Sequence, residues 1–261
     1  MGRQGAYMER NRPVAAGIAA AVIVTLALMG CGSGDSDEPT LVVLAASSLT
    51  GALGQYGDSF AGARVRSSFA GSDQLAAQIR QGATGDVFAS ADIAYPAQLH
   101  REGLVEKPVV IARNRLVVVV REGSSVKSLA ELAQPETKIV IGDPSVPVGA
   151  YAGEVLGRLP DAERKAILAN VRSEEPEVTA VLAKVVDGAA DAGFVYLTDA
   201  KAVAGEARTV QIPSDLQPDV AYAAAVVGDS EEPELARRYL QGLLHGNGAA
   251  DLREAGFLPP S

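Results

Sequence analysis

The chain is poor in several residue types on which specialised sites depend. Its 261 residues include one cysteine, two histidines and no tryptophan, and aromatic residues make up only 5%. A single cysteine excludes an intrachain disulfide framework and a cysteine-rich metal site. Only His100 and His245 are available for a histidine-dependent triad or a histidine-based metal site.

Positive charge is also scarce. The chain carries 23 lysines and arginines against 32 aspartates and glutamates, a formal net charge of -9. Nucleic-acid binders carry clustered Lys and Arg, so this balance argues against nucleic acid as a partner. Hydrophobic residues make up 48% of the chain, which is enough for a packed core and argues against disorder. The length favours one or two domains.

The N-terminal segment has the features of an export signal. Three arginines precede an apolar run from Val14 to Gly30, and the single cysteine, Cys31, follows directly. A small residue before a cysteine at the end of an apolar run resembles a bacterial lipobox. We therefore predict a lipoprotein signal peptide over residues 1–30, with Cys31 as the lipidated, membrane-anchoring first residue of the mature protein. The alternative is an uncleaved membrane anchor with an incidental cysteine.

Both alternatives place the remaining chain outside the cytoplasm, in the periplasm or on the outer face of the cell membrane. Cleavage would remove three arginines and one glutamate, so the mature chain would carry a net charge of -11. Residues 31–40 are rich in glycine, serine and acidic side chains. This composition predicts a flexible tether between the anchor and the folded part.

Short apolar runs alternate with helical patterns along the mature chain. Leu41–Ala46 is one such run, and a helical pattern follows it. This alternation predicts an α/β protein with parallel sheets. The units fall into two blocks, so we expect two lobes, the first from residues 41–115 and 221–261 and the second from residues 116–220. The chain would cross between the lobes twice, near residues 111–120 and 208–221.

Small and polar residues lie where several predicted helices begin. Ser48 and Ser72 lie at two helix starts, and Val148 and Val178 lie in the first turns of two others. Free N–H groups at a helix start attract anions, so several starts around one cleft would hold a divalent oxyanion without Lys or Arg. Each of these residues also has an ordinary alternative role: the serines could be N-caps, and the valines could simply pack in the core. A further candidate, Tyr196, could be a half-buried ring with its hydroxyl in water.

Five motifs occur in a fixed order from about Leu41 to Phe257. They are Ala45–Thr50, Ser67–Ser72, Gly85–Asp92, Gly142–Pro144 with Pro147–Tyr151, and Gly193–Tyr196 with Asp199-Ala200. Together they resemble the periplasmic molybdate-binding proteins, the substrate receptors of molybdate ABC transporters. The resemblance implies a type II periplasmic-binding-protein fold, with the ligand in the interlobe cleft and two hinge crossings.

The resemblance also implies a ligand shell. Ser48 and Ser72 would donate their hydroxyl and backbone hydrogens to the oxyanion, Val148 and Val178 their backbone N–H groups, and Tyr196 its hydroxyl. Molybdenum would contact these residues only through the molybdate oxygens, and no cofactor or catalytic residue is expected. The partners implied are a membrane permease and its cytoplasmic ATPase, with the receptor itself a monomer.

A shell of donors alone predicts selectivity for molybdate and tungstate. Both are fully deprotonated at neutral pH, whereas hydrogen phosphate carries a proton that needs an acceptor, at a cost of about 1–3 kcal/mol if it finds none. Sulfate has shorter bonds, which donors fixed on helix ends cannot follow. The alternatives are a receptor for sulfate or another tetrahedral oxyanion and, from another class, a secreted α/β hydrolase. The sequence lacks the Gly-x-Ser-x-Gly motif of such hydrolases.

Overall fold

The computed structural model describes residues 38–260. The predicted signal peptide, Cys31 and most of the predicted tether lie outside the described residues. The strands of the described part are β1 (Thr40–Ala46), β2 (Arg64–Ala70), β3 (Val87–Ser90), β4 (Val109–Asn114), β5 (Leu116–Arg121), β6 (Ile139–Gly142), β7 (Val171–Glu175), β8 (Ala192–Tyr196), β9 (Ala207–Gln211) and β10 (Val220–Val226). β1 thus begins at Thr40, the last residue that the sequence assigned to the tether.

The strands are connected mainly by helices. The α-helices are α1 (Thr50–Ser59), α2 (Ser72–Arg80), α3 (Ala94–Arg101), α4 (Pro147–Gly157), α5 (Asp161–Ala169), α6 (Val178–Val186), α7 (Leu197–Ala202), α8 (Pro233–His245) and α9 (Asn247–Glu254). Two short 3-10 turns cover Ser47–Leu49 and Ala130–Ala133. Among the described residues, no helix is long and apolar enough to cross a membrane.

The strands form two sheets of five, so the predicted two-lobed α/β fold is confirmed. The first sheet has the order β2-β1-β3-β10-β4, and the second has the order β7-β6-β8-β5-β9. We call the part built on the first sheet the first lobe and the part built on the second sheet the second lobe. The α8–α9 segment packs on α1 in the first lobe, where the rings of Tyr56 and Tyr239 lie 4.5 Å apart.

The strands of the βα units are parallel, as predicted, but each sheet also contains antiparallel pairs and is therefore mixed. In the first sheet β1 runs parallel to β2 and β3, but β10 runs antiparallel to both of its neighbours. In the second sheet β5 is likewise antiparallel to β8 and β9. The antiparallel strands are those reached by a crossing between the lobes, because each enters its new sheet in the direction opposite to that of the βα units there.

Hydrophobic patterning explains which strands lie inside. Every residue of β10, and every residue of β5 except Arg121, is buried. Both strands have helices and neighbouring strands around them, so runs of valine and alanine suit them. β2, with the sequence RVRSSFA, lies at a sheet edge and leaves its polar residues exposed, as edge strands usually do.

Two crossings connect the lobes. β4 ends at Asn114 and β5 begins at Leu116, while β9 ends at Gln211 and β10 begins at Val220. Gln217, in the second crossing, forms two hydrogen bonds to Leu116, which ends the first crossing. Its side chain accepts the Leu116 N–H at 3.2 Å and donates to the Leu116 carbonyl at 2.8 Å. Val220, which the sequence assigned to the second lobe, pairs with Asn114 in the first sheet.

Candidate functional site

Four helix starts surround one small cavity between the lobes. The first lobe contributes the 3-10 turn that leads into α1 and the start of α2, and the second lobe contributes the starts of α4 and α6. The lining residues are Ala46, Ser47, Ser48, Ala70, Gly71, Ser72, Ala91, Val146, Pro147, Val148, Glu177, Val178 and Tyr196. All five residues of the predicted ligand shell therefore lie at one place.

The cavity is small and free of cationic side chains. Its volume is about 10 Å³, room for a group about the size of one water molecule and far below the roughly 300–1,000 Å³ typical of sites for organic ligands. Among its lining residues, all within the described part of the chain, none is a lysine, arginine or histidine. A small ion bound there would interact with dipoles and hydroxyl groups rather than with opposite charges.

The four helices begin without side-chain caps. Their N-cap residues are Ala46, Gly71, Val146 and Glu177, and none makes a side-chain capping hydrogen bond. The first N–H groups of a helix have no acceptor within the helix, and together they carry about half a positive charge. The starts therefore offer donors and positive potential to the cavity. Neither Ser48 nor Ser72 occupies an N-cap position, so the alternative of two ordinary serine caps is wrong.

Both serine hydroxyls have a free hydrogen. The Ser48 Oγ accepts a hydrogen bond from the Tyr222 hydroxyl at 3.0 Å, and the Ser72 Oγ accepts one from the Ala91 N–H at 3.1 Å. A serine hydroxyl has one hydrogen to donate and two lone pairs. Since a protein donor already occupies one lone pair of each, the hydrogen remains available for a group in the cavity.

Tyr196 presents an unsatisfied hydroxyl. The residue ends β8, has only 1% of its surface exposed, and its hydroxyl makes no hydrogen bond to any part of the chain that the structure describes. Burial, with smaller contributions from Tyr222 and Tyr151, raises its pKa well above the usual value, so the hydroxyl keeps its hydrogen. The alternative of a half-buried ring with its hydroxyl in water is wrong.

The rings of Tyr151 and Tyr222 hold the Tyr196 ring in place. They pack edge-on against it, with ring centroids 6.3 and 5.5 Å away. A buried hydroxyl without a partner costs about 1–3 kcal/mol. Retaining it in a fixed orientation is useful only if something in the cavity accepts its hydrogen.

Val148 and Val178 contribute backbone groups. Val148 is the second residue of α4 and Val178 the first of α6, so the N–H of each lacks an acceptor within its helix. The valine side chains are buried in the core. Gly149 allows this arrangement, because a Cβ atom at that position would collide with the carbonyl oxygens of Gly142 and Asp143. The start of α4 can therefore lie directly on the end of β6.

Two carboxylates were missed by the sequence interpretation. Glu177 lines the cavity, although the predicted shell contained no carboxylate. Asp199 lies in α7 behind Tyr196 and accepts the Tyr196 N–H at 3.1 Å. Burial raises the pKa of Asp199 to about 7, although hydrogen bonds from the Tyr196 and Asp199 N–H groups partly counter this effect. The sequence marks Asp199 only as part of the Val-Tyr motif, and nothing in it signals the burial.

Other polar residues of the motifs have structural roles. Asp86 accepts the Val42 N–H at 2.7 Å and the Ser230 hydroxyl at 2.6 Å. Asp92 accepts the Tyr95 N–H at 3.1 Å at the start of α3. His100 lies on α3 with its Nδ1 3.0 Å from the Val105 carbonyl. In residues 38–260, no three His, Cys, Asp or Glu side chains are grouped to hold a metal ion.

Two lobes that close helix starts around a small cavity define a binding protein that encloses its ligand in the interlobe cleft. The chain belongs to the family described as bacterial extracellular solute-binding proteins, whose model matches residues 41–258. This match covers both lobes and both crossings, and it confirms the family resemblance stated from the motifs.

Individual proteins of known name are similar to this chain in sequence or structure. The chain is 38% identical over 260 residues to the molybdate-binding protein ModA of Mycobacterium tuberculosis (strain H37Rv), covering 94% of this chain and 97% of the relative. It is 30% identical to the putative ABC transporter substrate-binding lipoprotein YvgL of Bacillus subtilis, covering 91% and 95%. The structure of the Azotobacter vinelandii periplasmic molybdate-binding protein superposes with a TM-score of 0.76 at 24% identity, covering 85% and 100%.

Proposed function

We propose that the protein is an extracytoplasmic receptor that captures molybdate, and also tungstate, for an ABC importer. The observation that carries the proposal is the buried Tyr196 hydroxyl, which has no hydrogen-bond partner within residues 38–260 and lines a cavity formed by four uncapped helix starts. The M. tuberculosis relative named as a molybdate-binding protein supports the choice of ligand, and the A. vinelandii structure supports the fold.

Five residues would hold the ion. Ser48 and Ser72 would donate from their hydroxyl and N–H groups, Val148 and Val178 from their N–H groups and Tyr196 from its hydroxyl, and every oxygen of molybdate accepts. Hydrogen bonds to a charged acceptor contribute about 1.5–3 kcal/mol each in a water-excluded site. Such a shell binds a dianion without a counter-charge, which suits a chain whose net charge is negative.

The same shell would select among oxyanions. Sulfate accepts at every oxygen but is smaller than molybdate, so donors fixed on helix ends would not reach all of its oxygens. Hydrogen phosphate carries a proton that a donor-only shell leaves unsatisfied, at about 1–3 kcal/mol. Glu177 lines the cavity, so the discrimination against phosphate also requires that its carboxylate stays away from the ligand. Molybdate and tungstate are close in size and charge, and the receptor would bind both.

The importer would consist of a permease and a cytoplasmic ATPase, to which the monomeric receptor delivers the ion. Lipidation at Cys31 would anchor the receptor to the membrane, and the similarity to a substrate-binding lipoprotein supports this. Binding without chemistry suits the cavity better than hydrolysis, since both histidines lie elsewhere: His100 on α3 and His245 at the end of α8.

Elemental analysis and thermal unfolding test the proposal. Protein purified after exposure to molybdate should retain about one molybdenum atom per chain. A ligand at about a thousand times its Kd stabilises a protein by about 4 kcal/mol, so molybdate and tungstate should raise the unfolding temperature well above the effect of sulfate or phosphate. An equal shift with sulfate would contradict the size argument and favour a general oxyanion receptor. No shift with any oxyanion would refute the function.

A further inference from the structure

The two lobes are connected by a hydrogen bond at the edge of the cleft. The Tyr95 hydroxyl, on α3 of the first lobe, donates to the Ser145 carbonyl oxygen of the second lobe at 2.5 Å. Ser145 lies in the turn between β6 and α4. The bond therefore crosses the cleft outside the cavity and belongs to neither of the two chain crossings.

Each partner is fixed within its own lobe. The Tyr95 ring packs against an apolar cluster of the first lobe, and its N–H donates to Asp92 at 3.1 Å. The N–H and hydroxyl of Ser145 both donate to the Asp143 Oδ1, at 2.8 and 2.6 Å. The turn continues directly into Val146 and Val148, which line the cavity. The bond can therefore form only when the lobes, and with them the cavity walls, come together.

A second close approach shows how tightly the lobes meet. A Cβ atom at Gly71, in the first lobe, would lie 2.5 Å from the carbonyl oxygen of Pro176 in the second lobe and 2.6 Å from the Asp73 Oδ1 of its own lobe. Both Gly71 and Glu177, the neighbour of Pro176, line the cavity. Glycine at position 71 therefore permits a closure that a larger residue would hold open.

We propose that Tyr95 is a positioning residue: its hydroxyl latches the closed lobes and sets how long the bound oxyanion stays. This inference rests on the proposed function. Release requires the lobes to separate, which breaks the bond between Tyr95 and Ser145. Entry takes place through the open cleft, where the bond does not yet exist. The latch should therefore slow dissociation and leave association nearly unchanged.

Charged side chains around the Tyr95 hydroxyl affect its pKa. Asp73 and Asp92 of the first lobe and Asp143 of the second lie near the Tyr95 hydroxyl, and burial together with their negative charges raises its pKa, while Arg80 lowers it. The hydroxyl thus stays a hydrogen donor at neutral pH.

Tyr95→Phe tests the latch because it removes only the hydroxyl. A hydrogen bond contributes about 0.5–1.5 kcal/mol, so the dissociation rate should rise roughly 2- to 10-fold, with the association rate within about twofold of wild type. The rates are measured by loading the full chain with isotopically enriched molybdate and chasing with natural molybdate. Tyr56→Phe is the matched control: its hydroxyl donates to the Tyr239 carbonyl within the first lobe at 3.2 Å, and its loss should leave both rates unchanged.

Gly71→Ala provides a second, independent test. The added Cβ should keep the lobes apart and speed dissociation, and Tyr95→Phe should then add little to Gly71→Ala, because the latch no longer forms. An unchanged dissociation rate in Tyr95→Phe, or full additivity of the two substitutions, would overturn the latch. Wild-type protein that retains no molybdate would instead refute the proposed function, so the two failures are distinguishable.

Discussion

The two lobes contribute different kinds of hydrogen-bond donor to the cavity. The first lobe contributes the hydroxyls of Ser48 and Ser72, and each oxygen already accepts a hydrogen bond from the protein. The second lobe contributes two backbone N–H groups and the unpaired Tyr196 hydroxyl described above. The protein groups that contact the two serine oxygens therefore depend on those serines, whereas the Tyr196 hydroxyl has no hydrogen-bond partner among the described residues. Substitutions in the two lobes should therefore differ in their effect on the empty protein.

The largest loss of binding is expected in the first lobe. Ser48→Ala and Ser72→Ala each remove a donor to a dianion, at about 1.5–3 kcal/mol, so the double variant should lose about 100-fold or more in molybdate affinity by titration calorimetry. Each single variant should also destabilise the empty protein, because the Tyr222 hydroxyl or the Ala91 N–H loses its acceptor. Ser59→Ala, at the far end of α1, is the control. Unchanged affinity in the double variant would remove the first lobe from the shell.

Tyr196→Phe should weaken binding by about 10-fold or more while stabilising the empty protein, the opposite of the serine variants. The phenylalanine removes a buried hydroxyl that lacks a partner, which relieves about 1–3 kcal/mol in the ligand-free state. Chemical denaturation without ligand measures the stability, and calorimetry the affinity. A ligand-free variant less stable than wild type would mean that the hydroxyl already has a partner, and the contrast between the lobes would fail.

The backbone donors need a substitution that removes an N–H rather than a side chain. Val178→Pro does so at the first position of α6, where proline is well tolerated. The preceding residue, Glu177, has φ -163° and ψ 162°, the extended conformation that proline requires before it. We expect a loss of about 10-fold in molybdate affinity.

Val178→Ala and Val148→Ala are the controls for this experiment, since both retain the N–H group. They should cost stability through lost packing but change affinity by less than about threefold. A similar loss of affinity in Val178→Pro and Val178→Ala would assign the effect to the side chain and exclude the Val178 N–H from the shell.

Much of the fold was predictable because hydrophobic patterns mark buried strands. β1 is a short apolar run, and the sequence predicted it over Leu41–Ala46. β7 was missed, because the sequence VRSEE lies at the sheet edge with only one of its residues buried. The antiparallel direction of β5 and β10 was also missed, since strand direction depends on which lobe a strand joins and leaves no trace in its own residues.

The sequence pointed to the side-chain donors of the site more directly than to its backbone donors, and not at all to its interlobe contacts. The hydroxyl residues Ser48, Ser72 and Tyr196 carry a polar side chain that a motif can reveal, but the resemblance, not the pattern, separated them from ordinary caps. Backbone donors such as the Val148 N–H have no side-chain signature at all. The contacts of Tyr95 with Ser145 and of Gly71 with Pro176 join residues far apart in the chain, so only the folded structure brings them together.

The smallest effect on binding is expected at Asp199, in the second lobe behind Tyr196. Its pKa is near 7 in the folded protein and near 4 in an unfolded chain, so the folded state binds the proton more tightly. The stability from this group is complete below about pH 4 and is lost as the pH rises through 7. Asp199→Asn does not titrate, so the free energy of unfolding of the variant relative to wild type should increase from about pH 5 to 8, measured by denaturation at each pH. A difference that stays constant over this range would show that the carboxylate is not buried as the structure describes.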